Sequence, residues 1–307
     1  MLLMHLGRRE RVDHLTFSPD GGALVASGDA ALYIWRAVAG GARAVRVGGP
    51  LYPGLARFTA DGRWLFTGTS DLWRVEVATG RADSSKLWGQ YSTKFEVLAG
   101  APHVVASQNI YGGRNANLLA CWRADDLTPA GKVWEREFPL LGYHRPLALP
   151  DGKRLVRLEG GWVADRRRIE LLATAYDAAT GERLGASDCG TGGAADQTLV
   201  SPDGRWLAGR EQVNVWLWPI APGGAAARIK NDTRRHFTDA AFHPAGKYLA
   251  ATSNDATVKL YDTSTWELAR TFTWNIGRMR SIAFSPDGTL AAAGGDTGQV
   301  VVWDVDI

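Results

Sequence analysis

Along this chain the apolar positions fall in short runs separated by polar turns at a near-constant interval. The clearest unit is Arg280 to Asp304, RSIAFSPDGTLAAAGGDTGQVVVWD. Two apolar runs flank Pro286-Asp287-Gly288, a third follows Gly294-Gly295-Asp296, and the unit closes on Trp303-Asp304. The same punctuation returns at Pro19-Asp20-Gly21, Ala60-Asp61-Gly62, Pro150-Asp151-Gly152, Pro202-Asp203-Gly204 and Pro244-Ala245-Gly246. Successive turn glycines are 41, 90, 52, 42 and 42 residues apart. The interval of 90 is two repeats long, so a further turn is expected near residue 101, at Gly100-Ala101-Pro102. Seven units result.

Each turn has the chemistry of a tight hairpin connection. Proline fixes φ, the aspartate side chain caps the turn, and glycine accepts a positive φ. The turns join strands such as His14 to Ser18 and Ala23 to Ser27, or Ala240 to Phe242 and Tyr248 to Ala251. A third strand ends on an aromatic at Trp35, Trp122, Tyr176, Trp218, Tyr261 and Trp303. In the second unit Val75 takes that place, with Trp73 two residues earlier on the same face of the strand. Second turns such as Gly40-Gly41, Thr79-Gly80 and Thr180-Gly181 lead to a fourth, more variable strand.

Four short strands every 42 or so residues, without helical periodicity between them, predict an all-β chain. The predicted architecture is a seven-bladed β-propeller of four-stranded antiparallel blades. Stacking the blades round an axis buries both faces of each, and the thirteen tryptophans are accounted for as wedges between neighbours. The last unit reaches Ile307 with three strands, while Leu2 to Leu6 precede the first unit as an unassigned apolar run. Residues 1–7 are therefore expected to form the outer strand of the last blade, closing residues 1–307 into one ring. Its phase is open, since Leu3 and His5 share one side and Leu2, Met4 and Leu6 the other.

With FSPDG at Phe17 to Gly21 and again at Phe284 to Gly288, and with Trp303-Asp304 ending a third strand, the chain resembles the WD-repeat (WD40) propeller family over nearly its whole length. Units one, five, six and seven carry the pattern most fully. Unit three lacks the turn, and unit four is stretched by Glu159 to Arg168. The family commonly places Gly-His ahead of each first strand, with the histidine bonded to an aspartate of the second turn. Here Gly7-Arg8, Gly190-Thr191, Asp232-Thr233 and Trp274-Asn275 stand at that position, while Asp29, Asp71, Asp255 and Asp296 do occupy the second turn. The resemblance therefore implies an incomplete buried network, with blade stability resting on aromatic packing.

Composition changes this picture little. A formal charge of +3 and a pI near 8.9 fall short of what would by themselves imply a nucleic-acid or membrane partner. Cys121 and Cys189 lie in different units without metal-ligand spacing, and read as free, inert thiols in a reducing compartment. MLLMHLGRRERV runs from apolar to basic, the reverse of a secretory leader, and no run approaches the about 18 to 20 apolar residues of a membrane span. A cytoplasmic monomer is expected. The excess of arginine over lysine, with abundant alanine and glycine, suggests a bacterial, divergent member of the family.

Candidate chemistry is sparse. His5, His14, His103, His144, His236 and His243 are scattered, and neither GxSxG nor GxxxxGK[ST] occurs. One aspartate per turn cannot assemble the oxygen ligands of calcium. No cofactor or metal is expected.

Charge placed by topology says more. In the family fold, the loops entering each first strand and those joining the second and third strands emerge on one face, the top. That face would collect Arg8, Arg9, Arg11, Lys94, Arg114, His144, Arg145, Arg166, Arg167, Arg168, Arg234, Arg235, His236, Arg278 and Arg280. Tyr111, Tyr143, Trp162 and Trp274 fall in the same loops. Arginine interleaved with aromatics is the composition of recognition hot spots. Glu10, Asp13, Asp165, Asp196, Asp232 and Asp239 share these loops and can neutralise the arginines.

The partner-binding set is read as Arg8, Arg11, Tyr111, Arg145, Trp162, Arg166, Arg167, Arg168, Arg234, Arg235, Trp274, Arg278 and Arg280. The stretch Glu159 to Arg168, EGGWVADRRR, is expected to project as a loop beyond its neighbours. The family resemblance implies a non-catalytic scaffold, and the arginines suggest an acidic peptide or protein segment as its partner. The alternative is a nucleic-acid-binding propeller using the same arginines. A third reading, a hydrolase or isomerase in the channel, would draw on His14, Asp13 and Asp239.

Overall fold

The computed structural model describes the chain outside residues 8, 30, 39–43, 48–53, 69–70, 86–93, 99–102, 111–115, 129, 131–133, 137–144, 164–167, 192–194, 222–223 and 306–307. Within strands, only the backbone is described at 85, 94, 107–110, 116–120, 134–136, 161–163, 168–169 and 191.

The chain opens with β1 (Leu2–His5) and then winds through seven antiparallel sheets of four strands. Blade one is β2 (His14–Phe17), β3 (Ala23–Ser27), β4 (Leu32–Arg36) and β5 (Val45–Val47). Blade two is β6 (Ala56–Phe58), β7 (Trp64–Gly68), β8 (Leu72–Glu76) and β9 (Ala82–Ser85). Blade three is β10 (Lys94–Val97), β11 (His103–Ile110), β12 (Ala116–Arg123) and β13 (Trp134–Arg136). Blade four is β14 (Leu147–Ala148), β15 (Arg154–Val163), β16 (Arg168–Asp177) and β17 (Arg183–Thr191). Blade five is β18 (Gln197–Val200), β19 (Trp206–Glu211), β20 (Asn214–Pro219) and β21 (Ala227–Lys230). Blade six is β22 (Phe237–Phe242), β23 (Tyr248–Ser253), β24 (Thr257–Asp262) and β25 (Leu268–Thr273). Blade seven is β26 (Met279–Phe284), β27 (Leu290–Gly295) and β28 (Gln299–Asp304), with β1 as its outer strand.

The first strands of neighbouring blades touch one another all the way round, so they line the axis and the ring is closed. Each runs from the top loops down to its hairpin turn on the opposite, bottom face. The turn glycines Gly21, Gly62, Gly152, Gly204, Gly246 and Gly288 all have φ between 66° and 75°, a region closed to residues with a Cβ except at a cost. Among the described residues no helix is long and apolar enough to cross a membrane.

Packing explains the aromatic spacing. The buried side chains divide into seven apolar clusters, one between each pair of adjacent blades. The residue closing each third strand always joins the cluster shared with the preceding blade. Trp35 faces blade seven, Trp122 blade two, Tyr176 blade three, Trp218 blade four, Tyr261 blade five and Trp303 blade six. In blade two Val75 is fully buried in that role, while Trp73 is half-buried outside the cluster.

β1 pairs with β28 in the register Leu2↔Val302, Met4↔Val300, and Leu6 N–H donates to Gly298 O at 3.0 Å. The phase is thereby fixed. Met4 and Leu6 enter the cluster between blades seven and one, whereas Leu3 is 47% exposed.

Two expectations are corrected. The described residues of Glu159 to Arg168 are strand rather than loop, and 164–167 lie outside the described residues. β15 and β16 stay paired from Arg154↔Asp177 out to Val163↔Arg168, because the added residues continue the ladder and so satisfy their own backbone groups. Nor is the buried polar network simply incomplete. In blade six Asn231 donates to Ser253 Oγ at 2.9 Å, and Lys259 Nζ, 2% exposed, donates to Asn231 Oδ1 at 2.6 Å while pairing with Asp232 and Asp255. An Asn-Lys-Asp arrangement stands where the family has histidine.

Candidate functional site: the top face and the channel below it

The top loops use their acids inward. Asp29 accepts Arg11 Nη2 at 2.8 Å, and Asp13 lies 3.4 Å from the same group. Asp296 accepts the backbone N–H of Arg278 at 3.1 Å. Asp232 and Asp255 hold Lys259, Asp196 lies 3.4 Å from Arg210, and buried Glu10 accepts the Tyr33 hydroxyl. Opposing these, Arg234, Arg235 and Arg278 are exposed and, among the described residues, have no side-chain ion-pair partner. Arg234 sits at φ 57°, which sharpens the bend of its loop. Beside them Trp274 is half-buried in a three-ring cluster, stacked on Phe272 at 5.6 Å and 4.4 Å from Trp303.

The other residues of the sequence-derived set are placed differently. Arg11 is exposed but paired, and Arg280 is half-buried with its Nε enclosed. Arg145 is not on the rim: its side chain is 11% exposed and turns into the channel. Trp162 and Arg168 lie on β15 and β16, with side chains outside the described residues. Arg8, Tyr111, Arg166 and Arg167 also lie outside them.

Below the top face, the first strands carry a polar belt. His14 Nε2 stands 3.1 Å from the Ala56 carbonyl oxygen and 3.2 Å from Arg57 Nη1. Arg57 Nε is 3.5 Å from Glu96 Oε1, and Glu96 Oε2 is 4.0 Å from Arg145 Nη1. Arg145 Nη2 donates to Thr198 O at 3.0 Å. Gln197 donates to Asp239, Asp239 Oδ2 accepts the N–H of Ile282 at 2.9 Å, and Ser281 Oγ donates to Val12 O at 2.7 Å. The belt thus passes through every blade and returns to its start.

Enclosure decides the charges. Burial, then Arg57, pushes His14 down to about 3, so it is neutral at physiological pH. Burial, then Arg57, lowers Arg145 to about 10 against the pull of Glu96. Burial raises Asp239, opposed by the N–H of Ile282 and by Gln197. Of the three residues considered for channel chemistry, His14 and Asp239 both line the cavity, but Asp13 stays at the rim with Arg11. Cys121 and Cys189 are buried, and burial raises their thiols to about 11 and 12, away from reactive thiolate.

Sequence reasoning passed over most of the belt, though a signal was present. Seven positions ahead of the turn glycine stand His14 (Gly21), Arg145 (Gly152), Gln197 (Gly204), Asp239 (Gly246) and Ser281 (Gly288). A polar residue recurring at one register of otherwise apolar strands marks a shared, non-core environment. Arg57 and Glu96 fall outside that register.

The family model for WD40, described as WD domain, G-beta repeat, matches residues 2–36, 230–262 and 266–304. Three segments of the chain are WD40 repeats, carried on a seven-bladed β-propeller. These matched segments cover β1, the first three strands of blade one, and blades six and seven, the sector that carries Arg234, Arg235 and Arg278. A stretch of 108 residues is 26% identical to pre-mRNA-processing factor 19 homolog 2 of Arabidopsis thaliana, covering 34% of this chain. The chain spans about a fifth of that relative's length. Among solved structures, a chain of Kuenenia stuttgartiensis hydrazine synthase superposes with a TM-score of 0.73, covering 98% of this chain and 97% of that one at 16% identity. That likeness is one of fold alone. WD40 propellers generally serve as protein-interaction scaffolds.

Proposed function

We propose that this WD40 propeller is a non-catalytic scaffold that binds an acidic peptide or protein segment across the top of blades six, seven and one. The observation that carries this reading is the division of charge in those loops. Asp29, Asp232, Asp255 and Asp296 are engaged with groups of the propeller itself, and among the described residues Arg234, Arg235 and Arg278 have no side-chain ion pair. Planar guanidinium groups pair bidentately with carboxylates, and Trp274 supplies adjoining aromatic surface. The three-ring packing of Trp274 engages its ring within the fold, which favours a peptide over the free stacking platforms that single-stranded nucleic acid uses.

The test is fluorescence polarisation with a labelled Glu- and Asp-rich peptide, at two salt concentrations, against wild type and the Arg234→Glu/Arg278→Glu variant. The expected result is salt-sensitive binding that the variant weakens at least tenfold with its melting temperature unchanged. Equal binding by both proteins overturns the assignment. Preferential binding of a single-stranded oligonucleotide would replace the acidic peptide with nucleic acid.

A further inference from the structure

The channel holds a cavity of about 270 Å3 whose two ends differ in chemistry. Towards the top, His14, Arg57 and Arg145 face it; towards the bottom turns, Val200, Phe242 and Phe284 form an apolar collar with Pro202 and Pro244. We propose that this cavity binds a small amphipathic monocarboxylate, its anionic head at Arg145 and its apolar body in the collar.

The polar end is short of acceptors. Arg145 Nη1 is buried without a hydrogen-bond partner, and its nearest acid, Glu96 Oε2, stands 4.0 Å away, beyond hydrogen-bond length. Arg57 and Arg145 share that one carboxylate. The other acid, Asp239, already accepts from Gln197, Ala240 N–H and Ile282 N–H, so both of its oxygens are engaged. His14 is neutral and adds no charge. Among the described residues, Arg145 keeps an enclosed guanidinium nitrogen without a hydrogen-bond partner beside the cavity, and a carboxylate in the cavity can satisfy it once the guanidinium turns towards it.

The lowered proton affinity of Arg145 agrees with this, because its cation is enclosed beside Arg57 with insufficient compensation. A single carboxylate matches one guanidinium edge. A doubly charged oxyanion would require a second cation, and Arg57 is already 3.5 Å from Glu96 and bonded to the Ala56 carbonyl.

Size and polarity limit the body. The volume is at the small end of ligand pockets, which suits one aromatic ring or a short aliphatic chain. The aromatic rings of Phe242 and Phe284 offer apolar contact, while the belt above presents only polar groups. This site is separate from the top-face reading and shares none of Arg234, Arg235 or Arg278.

The experiment is isothermal titration calorimetry and thermal shift on the full chain with benzoate, hexanoate, benzyl alcohol and sulfate at constant ionic strength. Saturable binding of benzoate or hexanoate is expected, at least tenfold tighter than benzyl alcohol or sulfate. Arg145→Met should weaken it at least tenfold. Ala241→Leu should do the same by filling the cavity from a neutral position, so the idea stays open to refutation if Arg145→Met does not fold. Arg234→Glu should leave the carboxylate affinity unchanged. Absence of saturable carboxylate binding up to about 10 mM, a weak-ligand range, overturns the proposal. So does binding retained by the variant that folds, or sulfate matching benzoate.

Discussion

The two faces of this propeller are built from the same residue types and behave differently. On the bottom, each turn aspartate closes hydrogen bonds with its immediate neighbours. Asp20, Asp61, Asp151, Asp203 and Asp287 accept the backbone N–H two residues on, at 2.9 to 3.1 Å. Blade six, where Ala245 replaces aspartate, keeps the geometry by letting His243 Nδ1 accept the Ala245 N–H at 3.2 Å. On the top and in the belt beneath it, partners lie farther apart in the chain: Arg11 and Asp29, Lys259 and Asp232, Gln197 and Asp239, Ser281 and Val12. A local module can be copied from blade to blade, whereas a contact between distant segments must be composed for its place. On the top, Arg234, Arg235 and Arg278 stay exposed beside acids already engaged with the propeller itself.

Removing an enclosed charge from the top should have the largest effect. Lys259→Ala leaves Asn231, Asp232 and Asp255 without their shared donor. Removing one partner of a buried ion pair costs about 3 to 5 kcal/mol, because the other charge is stranded. Urea unfolding should show that loss, and Lys259→Met combined with Asp255→Asn should recover part of it. A change below about 1 kcal/mol, the range of an exposed pair, would mean that the cluster is solvated. Burial works against the ionised form of Asp255, yet the hydroxyls of Thr233 and Thr257 and the Lys259 charge hold it down to about 2. Its contribution is therefore complete at pH above the ordinary carboxylate value and is lost only as pH falls towards 2.

Ring closure comes next, as the longest-range contact of all. Met4 is buried between blades seven and one, and Leu3 beside it is exposed. Met4→Ala should cost about 2 to 3 kcal/mol, as for other buried methionines. Leu3→Ala should stay within about 0.5 kcal/mol, as at other exposed sites. Equal effects in thermal melts would show that β1 does not hold the phase described.

The same distinction decides what could be read from the sequence. Blade number, the six described turn glycines and the third-strand wedges rest on partners a few residues away, or on a side chain repeated every blade, and are legible in the sequence, whereas the turn expected at Gly100-Ala101-Pro102 lies outside the described residues. Closure by β1 was legible because a missing strand at one end matched an unassigned run at the other. The phase was not, since alternation along Leu2 to Leu6 offers two apolar faces and only the partner blade chooses between them. Arg145 shows the limit best. Its place ahead of β14 suggests the rim, but its guanidinium turns inward to Thr198, on the following blade, 53 residues along the chain. Glu159 to Arg168 reads as a loop because its glycines and arginines hide a hairpin whose ladder simply runs longer. Lys259, a cation inside an apolar strand, has Asp255 four residues away, but nothing local points to Asp232, 27 residues back in the chain.

The smallest expected effect tests the bottom face. Ser285 is buried and its Oγ donates to Asp287 at 2.6 Å while accepting the N–H of Leu290 at 2.9 Å. Ser285→Ala should cost about 1 kcal/mol, the worth of ordinary hydrogen bonds. The hydroxyl is also the leading reason that Asp287 sits below its ordinary value of 3.8, as Ser18 is for Asp20 and Thr59 for Asp61. A carboxylate depressed in the fold stabilises it above the ordinary value and loses that contribution as pH drops through the folded-state pKa. Wild-type stability should therefore fall more steeply below about pH 4 than that of Ser285→Ala, since the variant has less depression to lose. If the turns are independent copies, Ser18→Ala should reproduce the same small change, and the double variant should show the sum. Additivity is the signature of a contact that closes within its own turn, and a double variant departing from the sum would mean that the bottom turns communicate as the top loops do.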